Sequence, residues 1–235
     1  MSDQHFIQVL NDWVGGLSID FQPKYSLVTH TGCIFFMSSN TPIKLIVGLG
    51  NPGPQYADTR HNAGVWYLEA LARKHNVFLQ SDKRFFGDLA RIKFAGEDVW
   101  LLFPTTFMNR SGQAVGALAK FFKIKPEEIL VAHDELDLLP GQIKMKKGGG
   151  FAGHNGLKDM HAHLGSGDFW RARIGIGHPR SLNLQQGVAD FVLHRPSSEQ
   201  QQVIDKSIDV LLKHTELILK GQIGQATTHI HTECA

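Results

Sequence analysis

The chain has 235 residues, with 24 basic and 22 acidic side chains and a formal net charge of +2. Its 42% of hydrophobic and 20% of charged residues are typical of a soluble globular protein, and the small net charge means that any nucleic-acid affinity must come from a local patch. No apolar run approaches the roughly 20 residues that span a bilayer, and the first residues lack the pattern of a secretory signal. The two cysteines, Cys33 and Cys234, exclude a disulfide framework and a thiolate zinc cluster, so we expect a cytoplasmic protein.

The beginning of the chain differs from the rest in its hydrophobic pattern. Over residues 1–40 the apolar side chains keep neither a period of 2 nor one of 3.6, whereas regular patterns begin at Ile43. We therefore predict a poorly ordered N-terminal extension over residues 1–40, with Met37 as an alternative start of the protein. The folded domain is predicted over residues 41–235.

Strands and helices are predicted to alternate along this domain. Short apolar runs predict strands over residues 43–49, 85–94, 99–103, 129–132, 143–147 and 171–176, with a turn over 95–98 between the second and third. Apolar residues at helical spacing predict helices that include residues 65–72, 111–122, 155–164 and 198–220. The last helix is predicted to begin at Ser198 as its N-cap, to stop at Gly221, and to bury Val203, Ile208, Leu211, Leu212 and Ile218. The interleaving predicts a single three-layer α/β domain with a central sheet flanked by helices.

Two of the predicted strands end at polar residues that we expect to share one site. Gly48–Asn51 follows the first strand and His133-Asp134 follows the strand over 129–132; ligands in α/β sheets bind outside the carboxyl ends of the strands. His61 lies near the start of the first helix and would by itself be interpreted as a cap or a surface residue. With Asp134 beside it, the carboxylate would fix one imidazole nitrogen and leave the other free as a base near neutral pH.

Two other kinds of site stay open at this point. Gly48, Gly50 and Gly53 match a GxGxxG pattern after a strand, but prolines interrupt the turn, so a plain tight turn is favoured over a dinucleotide site. His133-Asp134 could also serve as the metal pair of a phosphohydrolase. Such sites are built from several separated ligands, so we rank this hypothesis below histidine base chemistry.

The middle of the chain separates acidic from basic residues. Residues 127–137 carry five acidic side chains, whereas residues 141–158 carry four lysines around a run of three glycines. Two solvated surfaces or a phosphate-binding segment explain this pattern equally well. Asn51, Asn109 and Asn155 are capping residues by default, although a carboxamide can also hold a peptide-like substrate.

Five segments of the chain closely resemble bacterial peptidyl-tRNA hydrolases. They are Lys44–Gly64, Pro104–Gly112, His133–Asp137, Gly148–Lys158 and Arg171–Pro179, and they occur in the family's own order. The resemblance implies a compact, monomeric α/β domain with a mixed central sheet, which hydrolyses the ester between a peptide and the 3′-terminal ribose of tRNA and so recycles tRNA from stalled translation. Peptidyl-tRNA would be the partner. No cofactor, metal, membrane or obligate protein partner is expected.

The resemblance also implies roles for individual residues. His61 would be the general base that activates water, Asp134 would hold and polarise it, and Asn51 would help to distinguish a blocked amino group from a free one. Asn109 and Asn155 would bind the peptide and the attacking water or oxyanion. The residues expected to contact the substrate in the same cleft are Tyr56, Phe107 and Met108, and those expected to face the tRNA are Lys144, Lys146 and Arg173.

The expected chemistry is physically coherent, and the sequence departs from the family at one position. An ester is activated enough that one positioned base with hydrogen-bond donors can hydrolyse it without a metal. Leu182 stands where family members often carry a lysine that contacts phosphate. Arg180 is the residue that could substitute for that lysine.

Overall fold

The computed structural model describes residues 25–30, 33–38 and 41–234. The chain divides into two compact units, Met1–Asn40 and Thr41–Ala235, and each is described by itself. Of the poorly ordered extension predicted over residues 1–40, residues 1–24, 31–32 and 39–40 lie outside the described ones, and its weak order stays a prediction.

The described part of the first unit is a β-hairpin. Strand β1 (Tyr25–His30) pairs antiparallel with β2 (Cys33–Ser38), with Tyr25 opposite Ser38 and His30 opposite Cys33. The sequence analysis assigned no element here because the apolar residues do not alternate strictly; the strands instead coincide with a high content of β-branched and aromatic residues. The alternative start at Met37, which lies within β2, stays a prediction.

The second unit contains a mixed sheet of seven strands. They are β3 (Leu45–Gly48), β4 (Gln80–Asp82), β5 (Gly87–Phe94), β6 (Glu97–Pro104), β7 (Ile129–Glu135), β8 (Ile143–Lys147) and β9 (Trp170–Gly175). Their order across the sheet is β4-β5-β6-β3-β7-β9-β8. The strands from β6 through β3 and β7 to β9 run parallel, whereas the pairs β4–β5, β5–β6 and β8–β9 are antiparallel. The mixed central sheet is therefore confirmed.

Helices cover both faces of this sheet. They are α1 (Ala63–Lys74), α2 (Ser111–Phe122), α3 (Asn155–Leu164), α4 (Val188–Val192), α5 (Ser198–Leu219) and α6 (Ile223–Glu233). Helices α1, α5 and α6 pack with Ile46 and Leu130 in one core, and α2 and α3 pack with Val47 and Val131 in the other. Because successive residues of a strand point to opposite faces, each central strand supplies both cores. The three-layer α/β prediction is confirmed, and within the described residues no helix is long and apolar enough to cross a membrane.

Several predicted boundaries differ from the observed ones around β5 and β6. Phe85 does not begin a strand; it ends the 3₁₀ turn Lys83–Phe85, because the side chain of Asp82 accepts a hydrogen bond from the backbone of Arg84. The turn between the two strands consists of Ala95 and Gly96 alone, both with positive φ (50° and 86°). Two such residues match the twist of a tight hairpin, so the predicted four-residue turn is wrong.

The long helix α5 also differs in detail from its prediction. Its N-cap is Ser197 and not Ser198, since the Ser197 hydroxyl accepts the backbone N–H of Gln200 in a capping box. Val203 is 39% exposed and leaves the predicted stripe, and Ile204 takes its place in the core. Helices α4 and α6 and the short strand β4 were not predicted from the sequence.

Close backbone contact places the start of α1 against the middle of the sheet. A Cβ atom on Gly64 would lie 2.2 Å from the carbonyl oxygen of Ala132 in β7, and one on Gly48 would lie 2.6 Å from the carbonyl oxygen of Gly64. Only glycine therefore allows β3, β7 and α1 to converge here. This convergence brings His61, just before α1, next to the end of β7.

Candidate active site

The convergence point opens into a cleft of about 320 Å³. Its polar walls come from the turn before α1, the end of β7 and the start of α3, and its apolar wall comes from α4 and the loop before α3. The lining residues include His61, His133, Asp134, His154 and Asn155 on the polar side, and Leu136, Phe151, Val188 and Val192 on the apolar side. The cleft lies at the carboxyl end of the parallel strands, as expected for this fold class.

His61 and Asp134 are in direct contact in this cleft. His61 Nδ1 lies 2.9 Å from Asp134 Oδ1. Because the carboxylate accepts the proton of Nδ1, the neutral imidazole presents the lone pair of Nε2. Burial acts to lower the pKa of His61, but the charge of Asp134 and its hydrogen bond outweigh burial, so the pKa is raised above the usual value. The sequence correctly predicted this pair, although β7 continues through both His133 and Asp134 to Glu135.

A second imidazole binds the same carboxylate oxygen, and the sequence analysis gave it no role. His154 Nε2 lies 3.1 Å from Asp134 Oδ1, and the ring centroids of His154 and His61 are 5.2 Å apart. Burial acts to raise the pKa of Asp134, but the two imidazoles hold it well below its usual range, so the carboxylate stays ionised. The available signal for His154 was its position immediately before the predicted helix, where a side chain caps the first turn.

His133 does not bind the carboxylate of Asp134, although its ring packs edge to face against that of His154 with centroids 5.0 Å apart. Its Nδ1 donates to the main-chain oxygen of Asp134 at 2.7 Å, and its Nε2 has no hydrogen-bond partner among the described residues. Burial lowers the pKa of His133 to about 3, so the ring is neutral. Among the described residues, the group with the spacing of metal ligands is His61, Asp134 and His154, whose ligand atoms lie within 4.8 Å of one another. His133 is not part of this group, so the structure does not support the hypothesis of a metal pair formed by His133 and Asp134.

Asn51 lies in the loop after β3 and is held there by hydrogen bonds of both its main chain and its side chain. Its backbone N–H donates to Asn62 Oδ1 at 2.9 Å, and its carbonyl accepts from Asn62 Nδ2 at 3.0 Å. Its own Oδ1 accepts the backbone N–H of Met108 at 2.9 Å. The carboxamide of Asn51 is thus oriented by Met108, and Asn62, which the sequence analysis missed, fixes the backbone beneath it.

Of the other expected substrate residues, Asn155 is among those that line the cleft, and Met108 contacts Asn51. Met108 is buried and begins the 3₁₀ turn Met108–Arg110, in which Asn109 is exposed. Phe107 is 58% exposed and meets Tyr56 edge to face, with ring centroids 6.4 Å apart. Asn155 is exposed at the first residue of α3 and lines the cleft with His61. Asn155 thus lines the same cleft as His61 and His154, whereas Asn109 follows Met108 in the chain, and the backbone N–H of Met108 donates to Asn51.

The expected tRNA-facing residues form a basic strip on β8 and β9, at one side of the sheet. Lys144 and Lys146 are exposed on the edge strand β8, and Arg173 lies directly opposite Lys144 on β9. Arg173 is not free of partners, because its Nε donates to Glu135 Oε2 at 2.8 Å. Opposite Lys146 is the buried Arg171, which the sequence analysis missed; its guanidinium donates to the carbonyl oxygens of Gly148 and Gly150.

The segment with the family departure lies in the loop before α4. Arg180 is exposed, and its backbone N–H donates to His178 Nδ1 at 3.1 Å. Leu182 is half-buried and lies against Gly177. The substitution of a phosphate contact by Arg180 stays a prediction. No helix N-terminus follows the glycines of the GxGxxG match, since α1 begins only at Ala63.

Fold and site together define a class of protein: an α/β protein with a buried carboxylate that binds an imidazole in a surface cleft, an arrangement that general-base hydrolases use. A family model described as "Peptidyl-tRNA hydrolase" matches residues 45–235. The peptidyl-tRNA hydrolase of Bordetella avium is 59% identical over 191 residues, which cover 81% of this chain and 92% of that protein. That of Neisseria meningitidis is 55% identical over 195 residues, covering 83% of this chain and all of the relative.

Solved structures agree with the sequence relatives. The crystal structure of the Acinetobacter baumannii peptidyl-tRNA hydrolase superposes with a TM-score of 0.77 at 49% identity, covering 81% of this chain and 95% of that one. The chain belongs to the peptidyl-tRNA hydrolase family, which confirms the family resemblance found in its sequence motifs. Hydrolysis of peptidyl-tRNA is the function of that family, so the expected enzyme class, a hydrolase, is confirmed with it.

Proposed function

We propose that this chain hydrolyses the ester bond between a peptide, or an N-blocked aminoacyl group, and the 3′-terminal ribose of tRNA, and so recycles tRNA from stalled translation. The observation that carries the proposal is the contact of 2.9 Å between His61 Nδ1 and Asp134 Oδ1 in an open cleft. This pair holds a neutral imidazole with Nε2 available to a water molecule. The reaction needs neither a cofactor nor a metal.

In the proposed mechanism His61 is the general base. Its Nε2 removes a proton from water, and the water oxygen attacks the ester carbonyl carbon to form a tetrahedral oxyanion. The intermediate collapses by breaking the bond to the ribose 3′-oxygen, which takes the proton back from His61. The products are the peptide carboxylate and tRNA with a free 3′-hydroxyl. Asp134 stabilises the transient imidazolium, and the carboxamides of Asn109 and Asn155 hold the peptide and the oxyanion.

Asn51 is proposed to discriminate against a free amino group. Its carboxamide has one orientation because Met108 donates to its Oδ1. A free ammonium group at this position would be desolvated without a carboxylate partner, whereas a blocked amide can exchange hydrogen bonds with carboxamides. Tyr56, Phe107 and Met108 complete the surface that receives the peptide.

The remaining parts of the proposal concern partners and location. Lys144, Lys146 and Arg173 are proposed to contact the phosphates of the tRNA. The protein is proposed to act as a monomer in the cytoplasm, with peptidyl-tRNA as its partner and with no membrane or obligate protein partner.

The test compares release of N-acetyl-aminoacyl and free aminoacyl groups from matched tRNAs in the presence of a chelator. Rapid cleavage of only the acetylated substrate is expected, and His61→Ala should lose roughly 10²–10⁴-fold in kcat while still binding tRNA. Equal cleavage of both substrates would contradict the role of Asn51. Loss of wild-type cleavage on chelation would favour metal chemistry at the His61, Asp134 and His154 group. Binding of tRNA without any cleavage would favour a tRNA-binding protein without catalysis.

A further inference from the structure

His154 has two hydrogen bonds that together determine where its proton lies. It is the N-cap of α3, with extended backbone (φ −71°, ψ 108°), and its Nδ1 accepts the backbone N–H of Leu157 at 3.4 Å. A nitrogen that accepts a hydrogen bond carries no proton in the neutral ring, so the proton is on Nε2. That Nε2–H is the group that donates to Asp134 Oδ1 at 3.1 Å. His154 therefore connects the first turn of α3 to the buried carboxylate.

We propose that His154 is a positioning residue for the reaction: it shares Asp134 Oδ1 with His61 and holds the start of α3, with Asn155 at its first position, in register with the base. The inference rests on the roles proposed above for His61 and Asp134. It adds a requirement, because orientation of the base then depends on two donors to one oxygen. It also gives the helix cap a function in catalysis.

The burial of the Asp134 and His154 side chains makes this sharing effective. The side chains of Asp134 and His154 are 3% and 8% exposed, so water supplies little of the hydrogen bonding that an ionised carboxylate needs. A donor to a buried carboxylate also withdraws charge from the oxygen that His61 uses. Two further groups line the cleft, His133, which is neutral, and Glu135, which is paired with Arg173 at 2.8 Å. Neither contacts Asp134 Oδ1 among the described hydrogen bonds.

The loop before His154 is tied down at both of its ends. At its beginning, the guanidinium of Arg171 donates to the carbonyl oxygens of Gly148 and Gly150. At its end, His154 donates to Asp134. The glycine-rich segment that follows the basic strand β8 is thus connected to the catalytic carboxylate. Loss of the His154 bond should release one end of this loop and leave the other in place.

Two substitutions separate the two bonds of His154. In His154→Asn the side-chain oxygen can still cap α3, but the amide is too short to reach Asp134. In His154→Gln the amide nitrogen can reach the position of Nε2, while the cap is weakened. The matched control is His229→Asn, since His229 is exposed on α6 and stacks on His214 away from the cleft. The readouts are kcat and KM for N-acetyl-aminoacyl-tRNA, the pH profile of kcat/KM, and the thermal midpoint of each variant.

The expected results follow from the loss of one donor to a charged group. His154→Asn should lower kcat by about 10- to 100-fold, with a thermal midpoint that is lowered by the loss of a donor to the buried carboxylate but stays well above the assay temperature. Its acid limb should move to higher pH, because Asp134 then carries more charge towards His61. His154→Gln should keep the acid limb of the wild type and recover most of kcat, and His229→Asn should match the wild type throughout.

Two outcomes would overturn the inference while leaving the proposed function intact. One is a His154→Asn variant with the wild-type rate and pH profile. The other is an equal loss in His154→Asn and His154→Gln with an unmoved acid limb, which would mean that the bond to Asp134 has no role. A wild-type protein that does not cleave the acetylated substrate, or a fully active His61→Ala, would instead contradict the proposed function and remove the basis of this inference with it.

Discussion

The cleft and the basic strip differ in the environment of their charged groups, which are buried and paired in the cleft but mostly exposed on the strip. In the cleft, Asp134 is 4% exposed and two imidazoles at 2.9 and 3.1 Å satisfy a single oxygen. On the strip, Lys144 and Lys146 project from an edge strand into solvent, and only Arg173 has a carboxylate partner at hydrogen-bond distance. A buried network acts through geometry and low dielectric, whereas exposed cations act through a field that salt screens.

This difference predicts where single substitutions should have large effects on activity. Removing one member of the cleft network leaves another group buried without its partner, so the effect on kcat should be large and independent of salt. Removing one lysine of the strip leaves the others in place. Its effect should be small, confined to KM and dependent on salt.

Asp134→Asn should have the largest effect. The amide cannot stabilise an imidazolium and its NH₂ group favours the wrong tautomer of His61, so kcat should fall roughly 10²–10⁴-fold with little change in KM. Steady-state kinetics on N-acetyl-aminoacyl-tRNA measure this. The matched control is Asp168→Asn, an exposed position that should keep wild-type kinetics. An Asp134→Asn variant within tenfold of the wild type would break the contrast between cleft and strip.

The pH profile of kcat/KM should also depend on the contact between His61 and Asp134. His61 must be neutral to act as a base, so the rate should fall about tenfold per pH unit below its pKa. Asp134 raises that pKa, so the acid limb of the wild type should lie above about 6.5. In Asp134→Asn only burial remains, and the residual activity should have its limb below about 6.5. A limb that does not move between the two proteins would show that another group controls it.

Gly64→Ala should test the backbone packing beneath the cleft. The new Cβ would lie 2.2 Å from the carbonyl oxygen of Ala132, and neither α1 nor β7 can yield without moving the core. The free energy of unfolding should fall by about 1–3 kcal/mol, measured by chemical denaturation. Gly224→Ala is the control within a helix, because nothing lies within 4 Å of its added methyl group. It should stabilise by about 0.5–1 kcal/mol, and a similar loss in both variants would contradict the packing argument.

Lys146→Ala should have the smallest effect. We expect KM to rise about three- to tenfold at unchanged kcat, and the slope of log(kcat/KM) against log[salt] to decrease by about 1. Lys120→Ala, on the exposed side of α2, should leave the slope unchanged. Equal slopes for Lys146→Ala and the wild type would mean that this lysine makes no phosphate contact, and would restrict tRNA binding to other parts of the strip.

Local sequence patterns were sufficient for much of the fold. Helices α2 and α3 and strand β8 have the predicted bounds, because in each the apolar period and the flanking residues agree. The helix α4 was missed because five residues cannot establish a period. In α5 the burial of Ile204 in place of Val203 depends on which side of the helix meets the sheet, and composition does not encode this rotation.

The candidate site likewise contains some contacts that could be predicted from the sequence and others that could not. The proximity of His61 and Asp134 could be predicted because strand ends of a parallel sheet lie at one edge, whatever the details of packing. No role could be assigned from the sequence to His154, Arg171 or Asn62. Each of them binds a partner on a different segment of the chain, and only the folded structure brings the two together. Whether their bonds to Asp134, Gly148 and Asn51 form depends on the placement of both partners to within a few tenths of an ångström.

The order of most elements, the fold class, the family and the proximity of His61 to Asp134 could thus be predicted from the sequence alone. These follow from local periodicity and from motifs that lie contiguously in the chain. The sharing of one carboxylate oxygen by two imidazoles and the pairing of Arg173 with Glu135 became visible only in the folded structure. The physical reason is that hydrogen bonds act over about 3 Å, so which groups meet is set by how helices and strands pack and not by their separation along the chain.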